Sequence, residues 1–491
     1  MKESSRSSSL TTNFFLNTLK TLGNIIFPFI AFAYTSRILG TDGIGKIHFA
    51  KAFVSYFMMI ASLGVNQYGM REVAKIRNDK EEIAQFSCEI LTLSIITTII
   101  SYALLYMVLL FSDQLKPYSV LIWINSISIV LSCFGIEWLY QGLEQYKYIS
   151  IRSLIFQIIA FLLMITFVKS KSDIYIFAFI NVLSSSGSLI INFFCAKKYL
   201  WRTNKKHLDI KKHIPPMLWL FTMALSIEIY TVLDTTMLGL LAGDNAVGLY
   251  SASIKINRVI NGVVTSLGVV LMPRIAYYFK TNAKEEMLGL IEKGYNYIFM
   301  LSVPACVGMF VVSREVILLV SGHEFLNASV TMRIMSIVLS MIPVSIMTNN
   351  QLFIPIGKEK LILLSTGLGA AVNFISNALL IPRYAENGAA IGTVIAEAVV
   401  VFVCLINLSR FFSIKKIFSS YYQYWVSAIP ILVIGFVANR INMTNDMIRL
   451  AIIFIFSCIS YASCLFIFKN RFFMEVFNKF GKLVKRGSGP R

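Results

Sequence analysis

The chain has 491 residues, 56% of them hydrophobic and 14% charged, with a mean hydropathy of +0.70; soluble domains are roughly a quarter charged, so a soluble class is excluded. The formal charge of +20 is spread over short connections, with no soluble basic module carrying aromatic platforms, which excludes nucleic acid as a partner. The seven cysteines form no CxxC, and the four histidines are scattered, so neither a disulfide framework nor a metal or other cofactor site is expected. His207 and His213, in a lysine-rich loop, read as solvated.

In chain order, residues 1–12 form a polar tail with no cleavage signal behind it. After it, apolar runs recur that are long enough to cross about 30 Å of hydrocarbon at about 1.5 Å per residue. A window of about 19 residues places 14 spans, roughly at 13–36, 46–68, 86–111, 120–140, 154–168, 174–195, 217–239, 250–272, 295–312, 330–353, 361–381, 389–408, 424–438 and 448–468. The expectation is an all-α polytopic membrane protein. With the N-terminus inside, about 32 of the 45 lysines and arginines fall on the inner side and about 13 on the outer side or the outer helix ends. Both termini are therefore expected in the cytoplasm. The basic stretch 196–216, ending in Pro215-Pro216, reads as a cytoplasmic linker between two halves. "RILGTDGIGKI" after span one and "TMLGLLAGDNAVGLY" after span seven share Leu-Gly, an aspartate and a glycine, an echo at an offset of about 200 residues that suggests parallel repeats.

Charges inside spans cost a few kcal/mol each at the bilayer centre unless they face water or a partner. On span two, His48, Lys51, Ser55, Ser62 and Asn66 share one helical face; on span eight, Ser251, Lys255, Arg258, Asn261 and Thr265 do the same. Two readings fit these stripes: a shared polar cavity, or cations near helix ends that snorkel to the interface. The carboxylates in or beside spans are Glu137, Glu228, Asp234 and Glu397. Glu228 and Asp234, about 240° apart on a helix, do not pair on one face. Each acid either neutralises a cation or holds a coupling ion.

"YTSRILGTDGIGKIHFAKAF", "YGMREVAKIRNDKEE", "EWLYQGLEQYKYISIRS" and "LDTTMLGLLAGDNAVGLYSASIKINRVI" resemble segments of polysaccharide repeat-unit flippases of the Wzx type, which serve O-antigen, capsule and exopolysaccharide synthesis within the MOP exporter superfamily. The resemblance runs from about residue 10 to about 410. It implies two six-helix lobes in a V, 13–195 and 217–410, joined by the linker 196–216, with 411–491 holding two further spans and a basic tail. It also implies alternating access, and as cargo an undecaprenyl-diphosphate-linked oligosaccharide made on the inner face of the bacterial cytoplasmic membrane. Arg37 matches the family's arginine after span one, and Arg258, Lys255 and Lys51 follow it as candidates to bind the diphosphate, with His48, Asn66 and Asn261 beside them. Other polysaccharide-assembly proteins and membrane lipids are the expected partners. No GxxxxGK[ST] loop is present, so the expected drive is an H⁺ or Na⁺ gradient, or consumption of cargo downstream. Asp234 is the first candidate for ion coupling, ahead of Glu228 and Glu397; Glu137, near the inner end, reads as a charge cap.

Within the superfamily the alternatives are a lipid II-type flippase and a drug/cation antiporter; the latter would be expected to carry acids in span one, which has none. A polysaccharide polymerase, an enzyme, would be expected to have a large external loop, and the longest outer connection, 313–329, is short.

Overall fold

The computed structural model describes residues 10–200, 208–266, 268–440 and 446–487. They form helices and short turns, with no strand among them, as hydrocarbon demands of a backbone that must satisfy its own polar groups. Two units, Met1–Gly248 and Leu249–Arg491, each pack internally.

The first unit contains α1 (Leu10–Ser62), α2 (Val65–Ile76), α3 (Lys80–Phe111), α4 (Ser119–Gly135), α5 (Glu137–Gly142), α6 (Tyr146–Phe167), α7 (Ile174–Val182), α8 (Ser188–Leu200), α9 (Ile214–Leu241) and the start of α10 (Asp244–Thr265). α1 carries two expected spans through a turn at Gly40, whose φ of 70° and ψ of −176° suit a residue without Cβ. It packs on α3, α4, α6 and α9. Hydroxyls tie it to α3: Ser101 donates to the Phe57 carbonyl at 2.7 Å and Thr97 to the Ala61 carbonyl at 2.6 Å. Lipid tails provide no hydrophobic drive for helix association, so packing and such bonds, about 0.6 kcal/mol each on average, carry it. α3 is accordingly inside-out: Ser94, Thr97, Thr98 and Ser101 are buried, while Ile96, Ile99, Ile100 and Met107 are exposed.

Where the expected linker meets α9, Glu89 of α3 is 1% exposed and His213 is 2% exposed. Glu89 Oε2 lies 2.8 Å from His213 Nε2 and 3.0 Å from Lys212 Nζ. Its Oε1 accepts from the Asp209 amide and from Gln85 at 3.0 Å each, and the Tyr68 hydroxyl lies 2.8 Å from His213 Nδ1. The reading of His213 as solvated is thus corrected: a buried carboxylate needs a partner for every lone pair, and residues 209–213 supply three. His207 lies outside the described residues, as does the middle of the linker, 201–207.

The second unit continues with the rest of α10, then α11 (Gly268–Lys280), α12 (Lys284–Ser321), α13 (Ala328–Ser336), α14 (Val338–Ile346), α15 (Glu359–Ser409), α16 (Ile414–Ile417), α17 (Tyr421–Arg440), α18 (Asp446–Ile467) and α19 (Arg471–Gly487). α12 packs on α11, α13, α14, α17 and α18, around a core that includes Ile291, Tyr295, Phe299, Phe353 and Tyr424. Two of its tyrosines are anchored as buried phenols require: Tyr295 lies 2.7 Å from Thr348 Oγ1, and Tyr424 donates to Asn296 Oδ1 at 2.9 Å. The Arg449–Glu315 ion pair, 3.5 Å long, joins α18 to α12.

By length and apolarity the described residues hold nine candidate crossings, or eleven if each of two bent pairs is one, against the fourteen expected. The difference has physical sources. α1 and α15 each carry two expected spans, α15 through Ala385 at φ 45°. α10, with its polar stripe, is not among the apolar crossings.

Candidate functional site

A cavity of about 360 Å³ opens within the first unit. Lys51 and Ser55 of α1, one turn apart, stand on its wall with Asn66 of α2, three members of the stripe expected on span two. α4 contributes Asn125, Ser128 and Ser132, at spacings of three and four that put them on one helical face. The third wall is Asn181 of α7 with Ser185 and Ser186, which fall in a π-helical turn at Leu183–Gly187. The wider turn brings two consecutive serines to the same wall; π-bulges recur at functional sites.

Glu137 also lines this cavity. It follows Ile136, whose φ of 45° ends α4; a left-handed β-branched residue costs about 1–3 kcal/mol and redirects the chain there. The carboxylate expected only to cap charge therefore lines the same cavity as Lys51. Hydropathy and α-periodicity reveal Asn125, Ser128 and Ser132 in an apolar run; they do not reveal the break at Ile136.

Of the other candidates in this unit, Arg37 is exposed just before the Gly40 turn, and His48 is half-buried, edge-on to Phe32 at 6.3 Å between centroids. Neither lines the cavity. Asp234 is buried and Glu228 half-buried on α9, and both lie within electrostatic reach of the Tyr56 phenol of α1. Tyr56 itself lies 3.2 Å from Thr236 Oγ1. In the second unit Lys255 is half-buried, Arg258 exposed and Asn261 buried on α10. Glu397 of α15 is buried within electrostatic reach of Cys404, whose Sγ lies 3.3 Å from Asn349 Oδ1. Nearby on the same helix, Asn377 donates to Asn373 Oδ1 at 3.1 Å, a buried amide pair that hydropathy does not single out in its apolar run.

The two echo segments meet. A Cβ on Gly45 would collide with the Asp244 carbonyl, and one on Gly248 with the Thr41 carbonyl, so each glycine admits the other segment's backbone. Asn245 Nδ2 donates to Thr41 Oγ1 at 2.7 Å, and the Tyr118 hydroxyl donates to Asp244 Oδ1 at 2.7 Å. Burial holds the Asp244 carboxyl above its ordinary pKa and Asp42 adds to this, while the Tyr118 hydrogen bond and Lys46 oppose it.

Residues 10–279 match a family described as "Polysaccharide biosynthesis protein". The chain belongs to that family. Two relatives named "Putative O-antigen transporter" are similar to it: that of Shigella dysenteriae is 26% identical over 78% of this chain and 96% of its own, and that of Escherichia coli K12 is 22% identical over 64% and 76%. An archaeal relative, "Probable low-salt glycan biosynthesis flippase Agl15" of Haloferax volcanii, is 23% identical over 48% of this chain and 49% of its own. Among solved structures, the lipid II flippase MurJ in an inward closed conformation aligns over 94% of this chain and all of its own, with a TM-score of 0.70 at 17% identity. An inward-facing multidrug-resistance MATE transporter of the MOP superfamily covers 80% of this chain and 94% of its own, with a TM-score of 0.58 at 15% identity. The chain therefore shares its fold with these two transporters, in a multi-pass membrane protein.

Proposed function

We propose that this chain is a flippase that moves an undecaprenyl-diphosphate-linked oligosaccharide from the inner to the outer face of the bacterial cytoplasmic membrane by alternating access. It is a transporter and performs no covalent chemistry. The observation that carries the reading is the cavity walled by Lys51, Glu137 and the amides and hydroxyls of α4 and α7, set among helices that turn isoleucines outward: a polar sugar needs such a wall where hydrocarbon would otherwise exclude it. Family membership and the relatives named as transporters and a flippase support the cargo class.

In this reading Arg37, Lys51, Lys255 and Arg258 hold the diphosphate, and His48, Asn66 and Asn261 contact the adjoining polar groups. The two halves move as six-helix lobes, 13–195 and 217–410. The echo contact between Thr41–Gly45 and Asp244–Gly248 is the seal that opens on the outer side. Asp234, with Glu228 and Glu397 as alternatives, couples the movement to H⁺ or Na⁺. Both termini face the cytoplasm, where other polysaccharide-assembly proteins meet it.

The test is reconstitution: purified protein in proteoliposomes is expected to expose a fluorescent undecaprenyl-diphosphate oligosaccharide to an impermeant quencher faster than protein-free vesicles do. Equal rates in both would overturn the reading.

A further inference from the structure

Apart from the polar cavity, the first unit holds a second concentration of chemistry at the first turns of α6. Arg152 is 6% exposed, and two of its guanidinium nitrogens, Nε and Nη1, are buried without a hydrogen-bond partner. Among the described residues no carboxylate lies within 4.0 Å of it; the acid on the nearby connection, Glu144, is paired with Arg77 at 3.2 Å. What surrounds Arg152 is neutral. Its Cζ lies 5.3 Å from the centroid of the Tyr148 ring, and Tyr148 packs on Tyr140 at 5.0 Å. A phenol near pKa 10 stays protonated at neutral pH and supplies no negative charge.

The neighbouring α8 adds Asn192, fully buried, whose carbonyl accepts from the Tyr140 hydroxyl at 3.1 Å. Both atoms of the Asn192 side-chain amide are without a partner, and the Tyr148 hydroxyl has only the Arg152 guanidinium and the Cys195 thiol beside it. A guanidinium does not shed its proton, so burial cannot be relieved by neutralisation. Leaving one uncompensated is strongly destabilising. The arrangement is rich in donors and short of acceptors.

We propose that Arg152, Tyr148 and Asn192 form a phosphate-binding site, distinct from the polar cavity. Several oxygens around one phosphorus offer acceptors to the guanidinium, the phenol and the amide together, which a monatomic anion does not. Access is from the side of Tyr148, which is half-buried; Cys195, within reach of the Tyr148 phenol, is exposed, and so is the adjacent Lys147. The phosphate has two sources of the same chemistry, a soluble or cargo diphosphate and an anionic lipid headgroup.

The experiment uses the full-length protein in nanodiscs and reads the thermal unfolding midpoint, so it needs no flipping, and its failure leaves the transport reading untouched. In phosphatidylcholine discs, inorganic pyrophosphate is expected to raise the midpoint saturably. Arg152→Gln is expected to weaken the apparent affinity about tenfold or more, the scale of one charge-assisted contact. A midpoint that rises only when phosphatidylcholine is exchanged for phosphatidylglycerol, and not in Arg152→Gln, assigns the site to a lipid headgroup. If Arg152→Gln does not fold, Asn192→Ala and Tyr148→Phe are read in the same way, each expected to weaken the response. A parent indifferent to both ligands, or variants that respond as the parent does, would overturn the proposal.

Discussion

Lys51 and Glu137 place opposite charges around one cavity whose other polar lining residues are neutral amides and hydroxyls. In a water-filled cavity of reduced dielectric, a cation binds a phosphate more strongly than at an open interface. Alanine at Lys51 is accordingly expected to lower cargo affinity about tenfold without affecting insertion; Arg37 and Arg258, proposed diphosphate ligands outside the lining of this cavity, are expected to behave alike, with lysine at either arginine rescuing only in part, because it lacks the planar fork. Binding of labelled cargo to purified variants checks this; normal affinity in all three alanine variants would make these residues interfacial anchors. Asp234, buried beside the Tyr56 and Thr236 contact, is expected to separate binding from drive. Asp234→Asn should retain cargo affinity and lose the response of flipping to an imposed proton or sodium gradient; an Asn variant that still responds would remove Asp234 from coupling.

At the scale of elements, the junction of α1 with the start of α10 depends on backbones that approach as closely as Gly45 and Gly248 permit. Thr41 and Asn245 already touch at 2.7 Å, so cysteines at both positions are expected to form a disulfide under mild oxidation, arrest flipping, and release it on reduction. Unimpaired flipping in the fully crosslinked protein would show that this junction does not open. Asp244 adds a dependence on pH. Its folded pKa is raised, chiefly by burial, so the folded state holds its proton to higher pH than the unfolded chain does. Stability therefore falls as pH rises from the ordinary carboxylate range through the raised value, and is flat above it. Asp244→Asn is expected to remove that slope while keeping an oxygen for Tyr118; unfolding midpoints of both proteins between pH 3 and about 7 measure it, and parallel curves would count against a raised Asp244.

For the whole molecule, the bias of lysine and arginine is expected to orient the chain with its basic connections inside. A cysteine replacing Arg77 should resist an impermeant thiol reagent in intact cells, and one replacing Lys171 should react; the reverse pattern would invert the topology. Much of the protein was legible without coordinates. Apolar run length and the need to satisfy backbone polar groups in lipid sufficed for an all-helical membrane protein, and α-periodicity brought Lys51, Ser55 and Asn66 to one face, because these are properties of local sequence. The tertiary structure decided what depends on distant neighbours. His213, in a lysine-rich segment, is buried because Glu89, 124 residues away, supplies its partner. Glu137 reaches the cavity because Ile136 adopts a left-handed turn that no propensity at that position foretells. Arg152 emerges as an uncompensated charge only once the residues packed around it are known to be neutral. Composition and period are written residue by residue, whereas burial and charge compensation belong to pairs of residues that folding brings together.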